Sequence, residues 1–431
     1  MNESAISILT HGCRANQYES DAMRHRLTQR ASVMAPDMRI HILNGCTVTN
    51  LADRKARQAA RRIRREDPNA FIILIGCTAD AVIQGLARFD EADLIAGGGW
   101  KPHIEDVVAA ALAGRRGVMP APPEGNLAAE CSEGPEDRIR AFLKVQDGCS
   151  LQCSYCRPTQ VRGPSRSKPL SAVLVEAERL IALGFPEIVL TGINLAQYTS
   201  GRDRLADLAR EILRNRGLRR LRLASINPSG LTDDLLEIFS DDARACRHFH
   251  VPLQSGDNAI LEAMGRTYTA AEYVDALARV RERLPNATFG ADLMVGFPGE
   301  TREAFERTVA LAEQIRFANT HVFRFSPRPG TTAADLPGRI PAQEKRSRAE
   351  RLDEICRSIR REHLDNRMGT TQDVLVEACR NERWCGYTRD YFYVSFDSGS
   401  AIPLGVERAV QITDVDEDHL RGEDVERSGP C

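Results

Sequence analysis

The chain of 431 residues is 42% hydrophobic and 27% charged, which fits roughly two to four globular domains with cores of their own. A formal net charge of −2 excludes whole-chain attraction to nucleic acid, so any RNA contact must come from local patches. No apolar run is long enough to cross a bilayer, the start Met1-Asn2-Glu3-Ser4 does not read as a signal peptide, and twelve cysteines point to metal or redox chemistry in a reducing compartment, so a cytoplasmic protein with no membrane partner is expected.

The first hundred residues hold three apolar runs that each lead to a cysteine. Ala5-Ile6-Ser7-Ile8-Leu9-Thr10 leads to Cys13, Arg39-Ile40-His41-Ile42-Leu43-Asn44 to Cys46, and Ala70-Phe71-Ile72-Ile73-Leu74-Ile75 to Cys77. Helical stretches over 18–29 and 50–65 separate them, and this alternation predicts a parallel sheet covered by helices. Ligands bind at the carboxyl edge of such sheets, so Cys13, Cys46 and Cys77 are expected on one rim. Three thiolates without a fourth suit an iron–sulfur cube with one open iron, whereas a lone cysteine is more often a small buried loop residue. In 54–65, seven of twelve residues are basic, a density that grips phosphates or forms a solvated helix face.

Pro120-Ala121-Pro122-Pro123-Glu124-Gly125 reads as a linker, with Cys131 nearby as a bystander. Strand–helix units then alternate from about residue 140 to about residue 325, with strands expected at 140–145, 187–191, 221–225, 248–253, 288–295 and 320–325. Six such units predict an incomplete (β/α) barrel whose active site lies at the carboxyl ends of its strands. Cys149, Cys153 and Cys156, in the run Asp147-Gly148-Cys149-Ser150-Leu151-Gln152-Cys153-Ser154-Tyr155-Cys156, follow the first of those strands. Three local thiolates hold three corners of a four-iron cube and leave the fourth iron open. Zinc sites also use close cysteines, but usually as two pairs, and no second pair or His follows here.

From about Gly369 the chain reads as short strands at 373–377, 384–388, 391–396 and 410–413, a small all-β domain. Aromatics such as Tyr387 and Tyr391 on its face would stack on bases or fill its core. Cys246, Cys356, Cys379, Cys385 and Cys431 lack partners at ligand spacing.

The C-x₃-C-x₂-C run resembles the signature of radical S-adenosylmethionine (SAM) enzymes, in which the open iron binds the amino and carboxylate groups of SAM. Gly12-Cys13-Arg14-Ala15-Asn16-Gln17-Tyr18-Glu19-Ser20, Asn44-Gly45-Cys46-Thr47-Val48-Thr49 and Gly76-Cys77-Thr78-Ala79 resemble the amino-terminal domain of the methylthiotransferases, radical SAM enzymes with a second four-iron cluster. The resemblance implies that Cys13, Cys46 and Cys77 ligate that auxiliary cluster, although Gly45 stands where Thr is frequent and Asp80 where Gln is frequent. It implies SAM binding by the strand-end segments that carry Gly192, Asn194, Ser225, Gln254, Asp292 and Gly296, and by Tyr155 beside the cluster. Glycines at 192 and 296 permit close backbone approach to a ligand, and Ser225, Gln254 and Asp292 offer polar groups to its amino-acid or ribose part. After Cys156 the family usually runs through apolar residues to a Pro-Tyr pair; Arg157-Pro158-Thr159-Gln160 departs from this, which alters packing beside the cluster.

Cys385-Gly386-Tyr387-Thr388-Arg389-Asp390-Tyr391 matches the usual motif of the TRAM domain, an OB-like RNA-binding module of these enzymes. The implied organisation is an amino-terminal α/β domain over 1–119, a linker over 120–136, a radical SAM domain over 137–368 and a TRAM-like domain over 369–431. Arg162 and Arg166, near the cluster mouth, and Tyr387 and Tyr391 are the RNA-contact candidates. The resemblance is closest to the branch that methylthiolates carbon 2 of N6-threonylcarbamoyladenosine at position 37 of tRNA. It implies two [4Fe-4S] clusters, SAM, a tRNA anticodon stem-loop, an electron donor such as a flavodoxin or ferredoxin, and a monomer. Relatives act on isopentenyladenosine in tRNA or on a ribosomal-protein aspartate. A reading of another class is a non-catalytic iron–sulfur RNA-binding protein or redox sensor.

Overall fold

The computed structural model describes residues 6–29, 38–122 and 127–425; Cys431 and the linker residues Pro123–Gly125 lie outside these. Strands β1 (Ile6–Thr10), β2 (Ile40–Gly45), β3 (Phe71–Gly76), β4 (Leu94–Ala96) and β5 (Gly117–Val118) form one parallel sheet in chain order. Helices α1 (Arg14–Gln29), α2 (Asn50–Glu66), α3 (Cys77–Ile83) and α4 (Ile104–Leu112) connect and cover it. The run in β3 is buried throughout because alternate residues serve two cores. Phe71, Ile73 and Ile75 pack with Met23, Ile104 and Val107, while Ile72 and Leu74 pack with Ala56, Ala60 and Ile63. Those last three sit at helical spacing on α2 and turn its arginines outward. Helix α1 starts at Arg14, earlier than the apolar pattern predicts, because its buried face carries the polar Asn16, Glu19 and Ser20.

Strand β6 (Arg140–Lys144) opens the second unit, followed by β7 (Gln146–Asp147), α5 (Arg157–Arg162), β8 (Arg166–Ser167), α6 (Leu170–Ala182), β9 (Glu187–Thr191), the small hairpin β10 (Thr199–Ser200) and β11 (Asp203–Arg204), and α7 (Leu205–Leu213). Then come β12 (Arg220–Leu223), α8 (Asp233–Asp241), β13 (His248–His250), α9 (Asn258–Ala263), α10 (Ala270–Arg283), β14 (Thr288–Val295), α11 (Arg302–Ile315), β15 (Asn319–Arg324) and α12 (Ala342–Asp365). Two parallel three-stranded sheets, β6-β9-β12 and β13-β14-β15, are joined by the bridges Leu221–Ala245 and Ser225–His250. The result is the open six-stranded arc expected from the sequence. Strand β13 stops short of the expected 248–253, where Pro252 has no N–H for a ladder.

The last unit is a closed barrel of β16 (Thr371–Arg380), β17 (Arg383–Thr388), β18 (Tyr393–Asp397), β19 (Glu407–Val415) and β20 (Leu420–Asp424), in the OB-like order β16-β17-β18-β20-β19. Its fifth strand was not expected, since Leu420-Arg421-Gly422-Glu423-Asp424 has one large apolar residue. Strand β18 begins after Tyr391, which sits in a turn at φ 73°. The barrel is fixed to the arc through β12, whose Arg-Leu-Arg-Leu alternation sends Leu221 and Leu223 into the core. Arg220 bonds Glu407 at 2.7 Å and the carbonyl oxygens of Tyr387 and Asp373 at 2.8 and 2.9 Å, and Arg222 bonds Glu187 at 2.7 Å. Among the described residues no helix is long and apolar enough to cross a membrane.

Candidate metal centre

Cys13, Cys46 and Cys77 follow β1, β2 and β3 at the carboxyl edge of the first sheet, with Cys77 as the first residue of α3. Cys13 is exposed; the other two are buried. The strand ends are drawn together by a lock of amides: Asn44 Nδ2 donates to the Asn16 carbonyl at 2.9 Å and to Ser20 Oγ at 3.0 Å. Gly12 is needed for the close approach, because a Cβ there would lie 2.8 Å from the Cβ of Cys46. Gly45, where the resemblance expects Thr, has its side filled by Thr78, whose Oγ1 would meet a Cβ at 2.5 Å.

Burial, then the proximity of Cys13 and Cys77, push the Cys46 thiol up to about 12. Burial also raises Cys77, against the pull of Arg162 and Lys101. Thiols crowded this way ionise together only when a cation takes up their charge. Among the described residues no three His, Cys, Asp or Glu side chains close round a single ion. A four-iron cube instead spreads its thiolates over separate iron corners, and the donor set fits three of them.

Arg162, at the end of α5, reaches across to this rim. Its guanidinium donates to Cys77 Sγ at 3.1 Å, Glu19 Oε1 at 2.7 Å, Asp147 Oδ1 at 2.8 Å and Asn16 Oδ1 at 3.0 Å. Glu19 also receives Lys101 at 2.5 Å and Lys144 at 2.9 Å, and Lys144 reaches Asp147 at 3.3 Å. Burial alone would raise Glu19, but these three cations hold its carboxyl well below the usual range. Asp147 is lowered in the same way by Lys144 and Arg162. A cavity of about 420 Å³ beside Cys77 is lined by Asp80, Lys101, Asp147, Arg162 and Arg166.

The second trio lies in the loop bracketed by the ribbon β7–β8. Gly148, at φ +68°, lets the chain cross so tightly that a Cβ would lie 2.1 Å from the Pro164 carbonyl oxygen, and Cys149 N–H bonds the Gly163 carbonyl at 3.0 Å. The Cys156 N–H bonds the Cys153 carbonyl at 3.0 Å, closing the turn. Burial pushes Cys156 up to about 12, helped by Cys153 and Cys149. Donors already face the sulfurs: Arg266 Nη1 is 3.6 Å from Cys153 Sγ and Asn194 Nδ2 is 3.9 Å from Cys149 Sγ. Three crowded thiols met by donors fit three iron corners of a cube, with groups beyond them that tune its charge.

The other expected ligand-binding residues are spread around the mouth of the arc. Asn194 caps the short helix Leu195–Gln197, and its N–H bonds Gln146 Oε1 at 2.8 Å. Gly192 is tight for a different reason than ligand approach, since a Cβ would lie 2.8 Å from Gln146 Oε1. Gly296 serves a turn at φ +73° and packing on Lys345. Ser225 bridges to His250. Gln254, at φ 72°, has a buried Oε1 with no partner among the described residues. Asp292 lies 3.2 Å from His250 Nε2; burial would raise it, but His250 and His321 hold it below the usual carboxylate range. Tyr155 packs edge-on against Phe297 at 6.5 Å.

Of the RNA candidates, Arg166 is 54% exposed and Arg162 is buried in the network above. Tyr387 and Tyr391 stack on each other at 4.9 Å inside the joint between barrel and arc. Arg140 lies 4.6 Å over Tyr387, Arg222 lies 4.8 Å over Tyr391, and His248 stacks on Tyr391 at 5.1 Å. Their half-buried rings take part in the joint between the two units. Sequence reasoning missed Asn16, Glu19, Lys101, Lys144 and Arg266; the short spacing of Asn16 and Glu19 after Cys13, on one helical face, was the available signal.

Two family models match the chain: the radical SAM superfamily over residues 143–312, and an uncharacterized protein family, UPF0004, over residues 5–97. The chain is 35% identical to the threonylcarbamoyladenosine tRNA methylthiotransferase MtaB of Thermotoga maritima, over 86% of each chain. It is 30% identical to the tRNA-2-methylthio-N(6)-dimethylallyladenosine synthase of Carboxydothermus hydrogenoformans, over 98% of this chain and 99% of that one. Its fold is shared by the radical SAM methyltransferase TsrM of Kitasatospora setae, with a TM-score of 0.53 and 18% identity over 77% of each chain.

Proposed function

The chain belongs to the radical SAM methylthiotransferases, and on that premise we propose that it adds a methylthio group to carbon 2 of N6-threonylcarbamoyladenosine at position 37 of tRNA. The observation that carries this reading is Arg162, which ties the loop of one cysteine trio to a sulfur of the other. A methylthiotransferase needs both sites to face one substrate, and this arginine makes their spacing a property of the fold. The Thermotoga relative directs the choice of nucleoside.

Cys149, Cys153 and Cys156 would hold the catalytic cluster, and Cys13, Cys46 and Cys77 the auxiliary one, where sulfur is kept for transfer. When bound, the cluster and SAM supply one-electron chemistry that no side chain can apply to an unactivated aromatic C–H bond. Gln254, Ser225, Asn194 and Asp292 would hold SAM at the strand ends; the buried, unpartnered Gln254 Oε1 is an acceptor waiting for a donor. The buried network of Glu19, Lys101, Lys144, Asp147 and Arg162 would hold the two sites at a fixed spacing, each of its charges paired within it. Arg166 and the exposed basic face of α2 would meet tRNA phosphates. A flavodoxin or ferredoxin would donate electrons, to a monomer in the cytoplasm.

Mass spectrometry of tRNA nucleosides from a deletion strain tests this. The methylthio group should vanish from threonylcarbamoyladenosine and persist on isopentenyladenosine. The reverse pattern would replace the substrate, and reconstituted protein that forms no 5′-deoxyadenosine from SAM and dithionite would point to a sensor instead.

A further inference from the structure

Arg157, the residue after Cys156, is 1% exposed, and two of its guanidinium donors, Nε and Nη1, have no partner among the described residues. Its Nη2 has a single contact, the Leu86 carbonyl oxygen at 3.5 Å, the limit for a hydrogen bond. The charged groups that act on it are Arg328, which repels it, and Asp53, which favours its charged form. Asp53 gives one carboxylate oxygen to Arg328, and its other oxygen, Oδ1, is buried without a partner among the described residues. Arg328 is 3% exposed and also bonds Asn50 and, at 2.7 Å, Thr47 Oγ1. Two guanidinium groups therefore face one carboxylate, an excess of one positive charge over these three side chains. A third buried donor, Arg328 Nε, has no partner among the described residues either. Unpaired buried charge is costly, and an anion with a planar, two-oxygen face is the group that a guanidinium fork accepts best.

The location adds the second constraint. Arg157 adjoins Cys156 in the chain, and Thr47, held by Arg328, adjoins Cys46. Both arginines are thus linked, by chain or by hydrogen bond, to a neighbour of a cysteine, one in each trio, and on the reading above the substrate nucleoside lies between the trios. Threonylcarbamoyladenosine carries there what isopentenyladenosine lacks, a free carboxylate.

We propose that Arg157, backed by Arg328, binds the carboxylate of the threonylcarbamoyl group and so selects the acidic nucleoside over the neutral one. This rests on the substrate reading above. SAM also carries an α-carboxylate, and the experiment separates the two sources.

Holoenzyme is titrated with three fluorescent anticodon stem-loops, bearing threonylcarbamoyladenosine, its methyl ester, or isopentenyladenosine, and separately with SAM. Wild type should bind the acid roughly 10- to 100-fold tighter than the ester. Arg157→Leu should bind acid and ester alike, with SAM affinity unchanged, and Arg157→Lys, which keeps the charge but loses the fork, should discriminate less than wild type. A wild type blind to the ester, an Arg157→Leu that still prefers the acid, or a loss confined to SAM affinity would each overturn the proposal. If Arg157→Leu does not load its clusters, the wild-type acid–ester comparison and Arg157→Lys decide, and undiminished discrimination by the lysine variant counts against it. Failure of the substrate reading shows itself separately, as no methylthio product from the acid stem-loop.

Discussion

Replacing Arg162 with Gln removes a cation that bonds residues of both units and Cys77. In the native network, Glu19, Asp147 and Glu130 face Lys101, Lys144 and Arg162, three buried negative groups against three buried positive ones, with the half-exposed Arg166 3.7 Å from Asp147 at the rim. Arg162→Gln leaves one buried carboxylate in excess. Breaking a buried pair costs about 3–5 kcal/mol, and here Glu19 keeps two lysines while Asp147 keeps Lys144, so about 2–4 kcal/mol is expected. A chain with several cores does not unfold in one step, so the readout must be local. Hydrogen exchange of metal-free protein, followed in peptides over 14–29 and 140–165, should accelerate roughly 30- to 1000-fold. The barrel peptides beyond residue 371 should exchange as before. Arg162→Lys should fall between, since it restores the charge and loses the four-way fork. Exchange within about threefold of wild type in 14–29 would refute the claim that Arg162 clamps the two units.

Three other outcomes follow from the same geometry. Gly148→Ala places a Cβ 2.1 Å from the Pro164 carbonyl oxygen at φ +68°, so the loop of Cys149, Cys153 and Cys156 must shift; iron per chain should fall to roughly half while the amino-terminal trio keeps its share. Glu187 is held down to about 2, as burial is outweighed by Arg222, so its contribution is fully present above its ordinary value and is lost as pH falls through about 2. Glu187→Gln should accordingly weaken local protection of β9 and β12 at neutral pH by about 3 kcal/mol, and the difference from wild type should shrink below pH 4 and disappear near pH 2. Arg166→Ala should lower tRNA affinity and reduce the salt slope by about one, whereas Tyr391→Ala should leave that slope intact and speed proteolysis between α12 and the barrel, since its ring is packed against Arg222 and His248.

Much of the architecture was legible because it rests on local period and spacing. Apolar runs alternating with helices predicted a parallel sheet, and with it the three cysteines at one edge. The C-x₃-C-x₂-C loop needs no tertiary information to be read. What stayed hidden is set by contacts between distant segments. Arg162 and Arg166 look alike in sequence, two basic residues in one loop. One is buried against Cys77 and Glu19 because α5 packs beside α3, and the other is half exposed. Tyr387 and Tyr391 have the composition of a base-stacking face, but the arginines of β12 and β6 draw them into the joint. Arg222 gave no warning, since its partner Glu187 is 35 residues away. The last barrel strand carries too few apolar residues to announce itself and is defined by pairing with β18 and β19.

On the proposed reading each of the two cysteine trios would hold a cluster of its own. Iron and sulfide should be counted in anaerobically reconstituted wild type, in Cys13→Ala/Cys46→Ala/Cys77→Ala and in Cys149→Ala/Cys153→Ala/Cys156→Ala. About eight iron atoms per chain are expected in the first and about four in each triple variant, with 5′-deoxyadenosine formed from SAM only where the second trio is intact. About four iron atoms in wild type, or a triple variant that keeps all of its iron, would contradict it.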